Sequence, residues 1–189
     1  IEGTADDNNG NLREAFSNLL SQEDRLKGKM PRIIMGDGKY DAVAKFNNHP
    51  LRSEDSVFFL LVDLDEVFDT DKEYYLEKLK NKNTRNFCCT AHNTFFMIQE
   101  VESWILSQPE VLDQYYKINI SSKVKNIVPQ KISNPSDYLN QLVQQKSRQT
   151  KSYHKVKVCV GLLSHLNLKK LREDFKEVDE FIFELSDSK

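Results

Sequence analysis

The sequence predicts an α/β protein in which helices flank a mainly parallel sheet and a helical C-terminal extension follows. Residues 57–62 form an uninterrupted apolar run, which is typical of a strand covered on both faces. Apolar runs and helical patterns alternate over the first half of the chain, as expected for parallel strands joined by helices. We therefore predict an α/β core at residues 1–108 and a helical extension at residues 109–189, packed on that core.

The elements of the predicted core follow from local patterns. Ile1-Glu2-Gly3 resembles the end of a strand whose earlier residues precede this sequence, and the Asn- and Asp-rich segment at 4–11 is expected to be a loop. Apolar runs predict the strands, and apolar residues at helical spacing predict the helices. The predicted strands are 1–3, 32–35, 57–63 and 94–98, and the predicted helices are 12–20, 40–48, 71–82 and 99–106.

The predicted extension is dominated by helical patterns. Residues 119–136 contain two prolines and read as irregular, and the polar segment 144–152 is of low complexity. Apolar residues at helical spacing recur in the rest of the region, at 139–143, 156–163, 168–175 and 181–185.

Composition narrows the class of protein. The 189 residues are 30% charged and 39% hydrophobic, with a formal net charge of -2, as in an ordinary globular protein. Cys88, Cys89 and Cys159 lack a metal-ligand spacing. Their odd number and the adjacency of two of them disfavour disulfides, which indicates a reducing compartment. Neither a membrane-spanning run nor a signal peptide is evident in the sequence. We expect a cytoplasmic protein with no membrane partner.

Acidic residues follow three of the predicted strands. They are Glu2, Asp63 with Asp65, and Glu100 with Glu102. The carboxyl ends of parallel strands share one edge of a sheet, so these side chains can meet there. Clustered carboxylates repel one another unless a cation such as Mg²⁺ or Mn²⁺ lies between them. The pattern predicts a metal site that can activate water and stabilise charge on a phosphate, although any single acidic residue could simply favour a helix N-terminus.

Two motifs, Glu2-Gly3 after one strand and Asp63-Leu64-Asp65 after a later one, resemble the TOPRIM domain, and five motifs in order resemble one TOPRIM-like bacterial family. That domain is shared by topoisomerases, primases and the overcoming-lysogenization-defect nucleases, and the chain is most similar to a TOPRIM-like family of uncharacterised bacterial proteins. The resemblance extends over nearly the whole chain. The motifs are Glu2-Gly3, Met35-Gly36-Asp37-Gly38, Val62-Asp63-Leu64-Asp65, Gln99-Glu100-Val101-Glu102-Ser103-Trp104 and Tyr153-His154-Lys155.

This resemblance implies a TOPRIM- or Rossmann-like fold and a Mg²⁺-dependent nuclease that hydrolyses DNA or RNA. Glu2 would be a general base or metal ligand, and Asp63 and Asp65 would bind the metal. Glu100 or Glu102 would support a second metal, since only one of the two needs to be a ligand. The resemblance also implies an effector subunit that acts in a hetero-oligomeric antiphage defence complex with an ABC- or SMC-type ATPase.

Lys155 completes the implied site, because a lysine neutralises the scissile phosphate in the related nucleases. The region from residue 117 to 157 is locally basic, which would suit contact with a nucleic-acid backbone. The same charges could also form a solvated face or a docking surface for a protein.

Two other functions compete with the nuclease. Asp63-Leu64-Asp65-Glu66-Val67 resembles the nucleophile motif of haloacid-dehalogenase-type phosphohydrolases, but that fold usually carries the motif on its first strand. A non-catalytic interaction module, which binds an ATPase partner through its helical extension, is the other alternative.

Overall fold

A computed structural model of the protein describes residues 1–3, 12–49, 56–81, 87–124 and 126–188. The predicted loop at residues 4–11 lies outside these ranges, as do the last residue of the predicted helix 71–82 and one lysine of the basic region, Lys125.

Helices and two strands alternate along the first half of the described chain, and helices alone follow. Short 3-10 turns at Asp24–Leu26 and Pro129–Lys131 connect some of them. The strands are β1 (Leu60–Asp63) and β2 (Thr94–Met97). The helices are α1 (Leu12–Leu20), α2 (Lys39–Asn48), α3 (Lys72–Asn81), α4 (Val101–Ser107), α5 (Pro109–Tyr116), α6 (Ser121–Val124), α7 (Pro135–Lys146), α8 (Lys155–Leu163), α9 (Leu168–Asp174) and α10 (Lys176–Asp187).

The parallel sheet is small, and it confirms the predicted α/β class. β1 and β2 are parallel, with Leu60 opposite Thr94. Residues 1–3 lie beside β1, because the Glu2 amide donates to the Leu61 carbonyl over 2.9 Å. On their other side, Glu2 forms a parallel bridge with Gly36. Four neighbouring segments, which we call rows, therefore form the sheet layer. Their order is 34–36, 1–3, β1 and β2.

The predicted strand at 32–35 is not a regular strand in the structure. Residues 31–35 are extended without ladder pairing, and only Gly36 forms a bridge. The reason is the length of the neighbouring row, since residues 1–3 offer few backbone partners. Gly36 itself cannot be replaced easily, because an added Cβ would lie 2.3 Å from the Cα of Ala42 at the start of α2.

Helices cover both faces of the sheet, as the sequence predicts. Phe58, just before β1, packs on His49 at the end of α2 with ring centroids 5.1 Å apart. Its neighbour Phe59 packs on Phe181 of α10 at 6.5 Å. Because successive residues of a strand point to opposite faces, α2 and α10 lie on opposite sides of the sheet. All residues of β1 and β2 are buried as a result.

The outer edge of β2 is closed by a buried ion pair. Glu177 of α10 accepts a hydrogen bond from the Phe96 amide over 3.1 Å. Its carboxylate also lies 3.2 Å from the ammonium group of Lys72 in α3, which in turn sits 4.2 Å from the centre of the Phe95 ring. Helix α10 thus packs on the sheet and covers an edge that would otherwise offer backbone groups to another chain.

We expect Glu177→Gln to lower the free energy of unfolding by about 1–2 kcal/mol, because the buried Lys72 ammonium loses its anionic partner. Burial, which raises the pKa of Glu177, offsets only part of this loss. Urea denaturation followed by circular dichroism measures this loss. Glu180→Gln is the matched control, since Glu180 pairs with the exposed Lys176 and its loss should leave stability nearly unchanged. Equal midpoints for the two variants would contradict the assigned role of Glu177.

Within the described ranges, none of the helices combines the length and the apolar character required to cross a bilayer.

Candidate functional site

The acidic residues after β1 and β2 are positioned by a tight double turn. Beyond the ladder, the Leu64 amide donates to the Met97 carbonyl over 2.9 Å, and the Asp65 amide donates to the Gln99 carbonyl over 2.7 Å. Asp65 and Gln99 both have a φ of 61°, the left-handed conformation. The segments that follow β1 and β2 therefore leave the sheet side by side and turn sharply at equivalent positions.

The turn places Asp63 against the start of α4. The Asp63 carboxylate accepts a hydrogen bond from the Val101 amide over 3.1 Å, and this amide is one of the donors that an α-helix leaves free at its N-terminus. Asp63 is 7% exposed. Its carboxylate is thus fixed at the carboxyl edge of the sheet.

Glu2 reaches the same edge from the adjacent row. Its carboxylate accepts a hydrogen bond from the Asp63 amide over 2.9 Å. The pairing of residues 1–3 with β1 sets this contact, because it brings the two residues side by side. Residues that are 61 positions apart in sequence are neighbours in the structure.

Lys155, the first residue of α8, lies among the carboxylates. Its ammonium nitrogen is 3.3 Å from Glu100 Oε1, 3.7 Å from Glu102 Oε2 and 3.9 Å from Asp63 Oδ2. Five of the six predicted site residues therefore come together. We call this group, made of Glu2, Asp63, Glu100, Glu102 and Lys155, the acidic pocket.

Glu100 and Glu102 both belong to the acidic pocket, although on a regular helix they would point to different sides. Glu100 precedes α4 and is extended, with φ -147° and ψ 165°. Glu102 lies in the first turn of α4. The change from extended to helical backbone between them directs both side chains toward Lys155.

Asp65 is the one predicted residue that takes a different partner. Its carboxylate pairs with the ammonium group of Lys39, the first residue of α2. The Asp65 side chain is 59% exposed, whereas that of Asp63 is 9% exposed. Asp65 thus lies at the rim of the acidic pocket and is held there by a lysine that the sequence did not suggest as a site residue.

Tyr153 is a second residue that the sequence analysis did not assign to the site. Its hydroxyl donates to Glu102 Oε1 over 2.8 Å, and both side chains are buried. The Tyr153 amide in turn donates to the Asn140 side chain over 3.1 Å. Tyr153 therefore holds one oxygen of Glu102 in place while the other faces Lys155. The sequence signal that could have indicated Tyr153 as a site residue is its position two residues before Lys155.

A family model supplies the relationship to known proteins. The model describes a domain of unknown function, DUF4276, and it matches residues 4–186 of the 189 residues. The chain belongs to the DUF4276 family. No curated protein and no solved structure matches it. The matched range of this DUF4276 chain includes every member of the acidic pocket except Glu2, and the family description names no activity.

Burial is the main cause that raises the pKa values of three carboxyl groups in the acidic pocket of this DUF4276 protein, those of Asp63, Glu102 and Glu2. Burial, followed by the charge of Glu2, raises the pKa of Asp63 well above its usual range. Burial also raises the pKa of Glu102, although Lys155 and Tyr153 oppose the shift. Burial also raises the pKa of Glu2. The folded state therefore favours the neutral, protonated form of these three carboxyl groups more than water does.

The pKa of the Lys155 ammonium group is also raised, and for a lysine this favours the charged form. Burial lowers the pKa of Lys155, but the attraction of Glu102, Asp63 and Glu100 together outweighs it, and the pKa lies above the ordinary value for lysine. Lys155 thus remains protonated and acts as the counter-ion of the acidic pocket in this conformation.

The donor atoms of the acidic pocket suit a hard divalent cation in their chemistry, but not in their present spacing. Two buried oxygens, Glu100 Oε2 and Glu102 Oε2, have no hydrogen-bond partner among the described residues. Carboxylate oxygens are the ligands that Mg²⁺ prefers in proteins. In the part of the chain that the structure describes, no three His, Cys, Asp or Glu side chains are spaced to hold one ion, and the Lys155 ammonium occupies the space between the carboxylates.

Proposed function

We propose that this DUF4276 protein is a Mg²⁺- or Mn²⁺-dependent phosphodiesterase that cleaves nucleic acid. The observation that carries the proposal is the meeting of Asp63, Glu100 and Glu102 around Lys155 at the carboxyl edge of a parallel sheet, with Glu2 hydrogen-bonded to the Asp63 amide beside them. These carboxylates come from three segments that are far apart in sequence. Such convergence is typical of a site for a cation and a phosphate rather than of helix capping.

The proposal includes a TOPRIM-like fold. The parallel order of rows 34–36, 1–3, β1 and β2 supports it, since the Glu-Gly and Asp-x-Asp motifs end adjacent rows. In the TOPRIM resemblance, the same two motifs supply the acidic residues of the site. The third acidic motif, at Glu100 and Glu102, follows the next strand, so all three share one edge.

The proposed roles follow from the contacts of each side chain. A bound Mg²⁺ would stabilise negative charge on a phosphate and lower the pKa of water. Asp63, held by the Val101 amide, and Glu102, held by Tyr153, would be its fixed ligands. Glu2 and Glu100 complete the set of oxygen donors. The Lys155 side chain is 47% exposed. Its ammonium group would move away from the carboxylates and pair with a phosphate oxygen.

Nucleic acid as the substrate is supported by the basic region. The exposed basic residues of this region lie before α8 or in its first turn, and they include Lys117, Lys123, Arg148 and Lys157. Such side chains can neutralise phosphates along a backbone. An ABC- or SMC-type ATPase partner and a role in antiphage defence belong to the same proposal and rest on the TOPRIM resemblance. The proposed cytoplasmic location rests on the cysteine pattern of the sequence.

One observation favours the alternative of a non-catalytic interaction module. Lys155 already neutralises part of the acidic pocket, as a permanent structural counter-ion would. In that case the pocket would stabilise the docking of α8 on the sheet and would not bind an ion. The two functions therefore differ in whether divalent cations bind.

The deciding experiment is an assay of the purified chain on labelled single-stranded DNA, double-stranded DNA and RNA with Mg²⁺, Mn²⁺ or EDTA. We expect cleavage with either ion and none with EDTA. Thermal unfolding in the same buffers should show an ion-dependent rise in melting temperature, because a ligand that binds the folded state stabilises it. An interaction module would give neither cleavage nor a shift, and cleavage that survives EDTA would contradict a metal-dependent site.

A further inference from the structure

Lys155 is the movable member of the acidic pocket, whereas two of its carboxylate partners are held in place. The Asp63 carboxylate accepts a hydrogen bond from the Val101 amide over 3.1 Å. Glu102 Oε1 accepts one from the Tyr153 hydroxyl over 2.8 Å. The exposed fraction is 9% for the Asp63 side chain and 0% for that of Glu102, but 47% for that of Lys155. Because lysine carries its ammonium group on a flexible four-carbon stem, a rearrangement of the pocket is expected to move Lys155 first.

The ammonium group of Lys155 lies where a cation would have to bind. Its nitrogen is within 3.9 Å of oxygens from Asp63, Glu100 and Glu102. Over the described ranges of the chain, no other basic side chain forms an ion pair with any of these three carboxylates. Glu100 Oε2 and Glu102 Oε2 are buried and have no hydrogen-bond partner there. The neutralisation of the three carboxylates therefore depends on one exchangeable lysine.

The position of Lys155 imposes a cost on each ligand of the proposed site when that ligand binds alone. The ammonium group would repel a divalent cation held by the same oxygens, so Lys155 would have to leave three carboxylates without gaining a new anionic partner. A phosphate that pairs with Lys155 meets the converse cost, because it removes the cation that neutralises the carboxylates. When both ligands bind, Lys155 is displaced only once and every separated charge has a new partner. Each ligand should therefore raise the affinity for the other.

We propose that Lys155 couples the two ligands of the acidic pocket, so that a divalent cation and a nucleic-acid phosphate bind cooperatively. This inference rests on the proposed function and specifies how that site is regulated. Without a phosphate, Lys155 pairs with the carboxylates and keeps the affinity for the cation low. With a phosphate, Lys155 turns to the new anion and leaves the carboxylates to the cation. The spacing that does not suit a metal ion is then a property of the state in which Lys155 pairs with the carboxylates.

Binding of Mn²⁺ to the full chain tests the coupling without any cleavage. The electron paramagnetic resonance signal of free Mn²⁺ gives its Kd, and thymidine 5′-monophosphate is a phosphate probe that contains no phosphodiester bond. A titration of the nucleotide without protein corrects for the complex that it forms with the ion. We expect the nucleotide to lower the Kd of the parent chain for Mn²⁺ by about tenfold, within the range typical of coupled sites. Because coupling is reciprocal, Mn²⁺ should lower the Kd for the nucleotide by the same factor.

Substitutions of Lys155 identify the residue that carries the coupling. Lys155→Met should bind Mn²⁺ about tenfold more tightly than the parent chain when the nucleotide is absent, because no ammonium group has to leave. Direct attraction between cation and phosphate remains, so the nucleotide should still help this variant, but by a smaller factor than it helps the parent. Lys155→Arg keeps the charge and should behave like the parent. The matched control is Lys157→Met, which removes an exposed lysine from the same first turn of α8 and should also behave like the parent.

The possible results separate the coupling from the proposed function. If Mn²⁺ binds but Lys155→Met gains no affinity for it, or if Lys157→Met gains as much, the coupling is overturned while the metal site stands. If neither the parent chain nor Lys155→Met binds Mn²⁺, with or without the nucleotide, the coupling and the proposed function both fail. Circular dichroism shows whether each variant is folded. Should Lys155→Met not fold, the parent chain alone decides, since a Kd for Mn²⁺ that the nucleotide leaves unchanged would overturn the coupling.

Discussion

Lys155→Met is expected to lower the free energy of unfolding by about 2–3 kcal/mol at neutral pH, less than the loss of a partner from a fully buried pair because the lysine is half exposed. The substitution keeps much of the apolar stem of the side chain and removes its charge. Glu102, which is fully buried, and Asp63 would then face each other without the nearest cation. Chemical denaturation of the variant and the parent chain measures the difference.

The loss in free energy of unfolding caused by Lys155→Met should depend on pH. The pKa values of Asp63 and Glu102 lie above their ordinary values of 3.8 and 4.5. The folded state therefore keeps protons that the unfolded chain releases, so the stability linked to these groups is full below about pH 4 and falls as the pH rises through the raised pKa values. Loss of Lys155 raises them further, and the variant should be closer to the parent at pH 5 than at pH 8.

A matched control separates this effect from the loss of any lysine. Lys78→Met removes an ion pair with Glu66 in which both side chains are well exposed, and it should leave stability nearly unchanged at both pH values. Addition of Mg²⁺ provides a second comparison. If the proposed metal replaces the ammonium group, Mg²⁺ should restore more stability to Lys155→Met than to the parent chain. A variant as stable as the parent at pH 8 would remove Lys155 from its role as counter-ion.

The sequence predicts the elements of this fold well where local patterns decide them. The helix predicted at 40–48 is observed as Lys39–Asn48, since its apolar spacing and the glycine before it both act locally. The strand predicted from residue 57 begins its ladder only at Leu60, because β1 pairs with β2, which itself starts at Thr94. Strand length depends on the neighbouring row, and that information is not local.

In the candidate site, too, some features can be predicted from the sequence and others depend on tertiary packing. Strand-end carboxylates can be predicted to share an edge, because parallel topology alone places them there. The ion pair between Lys39 and Asp65 cannot, since it depends on the left-handed turn at Asp65 and on where α2 begins. The hydrogen bond from Tyr153 to Glu102 depends on how α8 docks against α4, which is a matter of tertiary packing.

Asp63→Asn is expected to reduce metal-dependent cleavage at least about a hundredfold, since metal stabilisation of phosphate charge contributes several kcal/mol and each 1.4 kcal/mol is a factor of ten. Asparagine keeps the shape of the side chain and an oxygen that can accept from the Val101 amide. It removes the charge of the most buried aspartate in the acidic pocket. The fold should therefore persist, and even gain stability, because the pKa of Asp63 shows that its ionised form is unfavourable in the folded state.

A loss of cleavage without a loss of stability distinguishes a functional carboxylate from a structural one. Cleavage rates, the ion-induced rise in melting temperature and unfolding free energies should be measured for Asp63→Asn beside Asp187→Asn, an exposed acidic residue at the end of α10. We expect the control to match the parent chain in all three. Loss of stability together with activity would assign Asp63 to the fold alone, whereas an undiminished ion response in Asp63→Asn would place the cation elsewhere in the molecule.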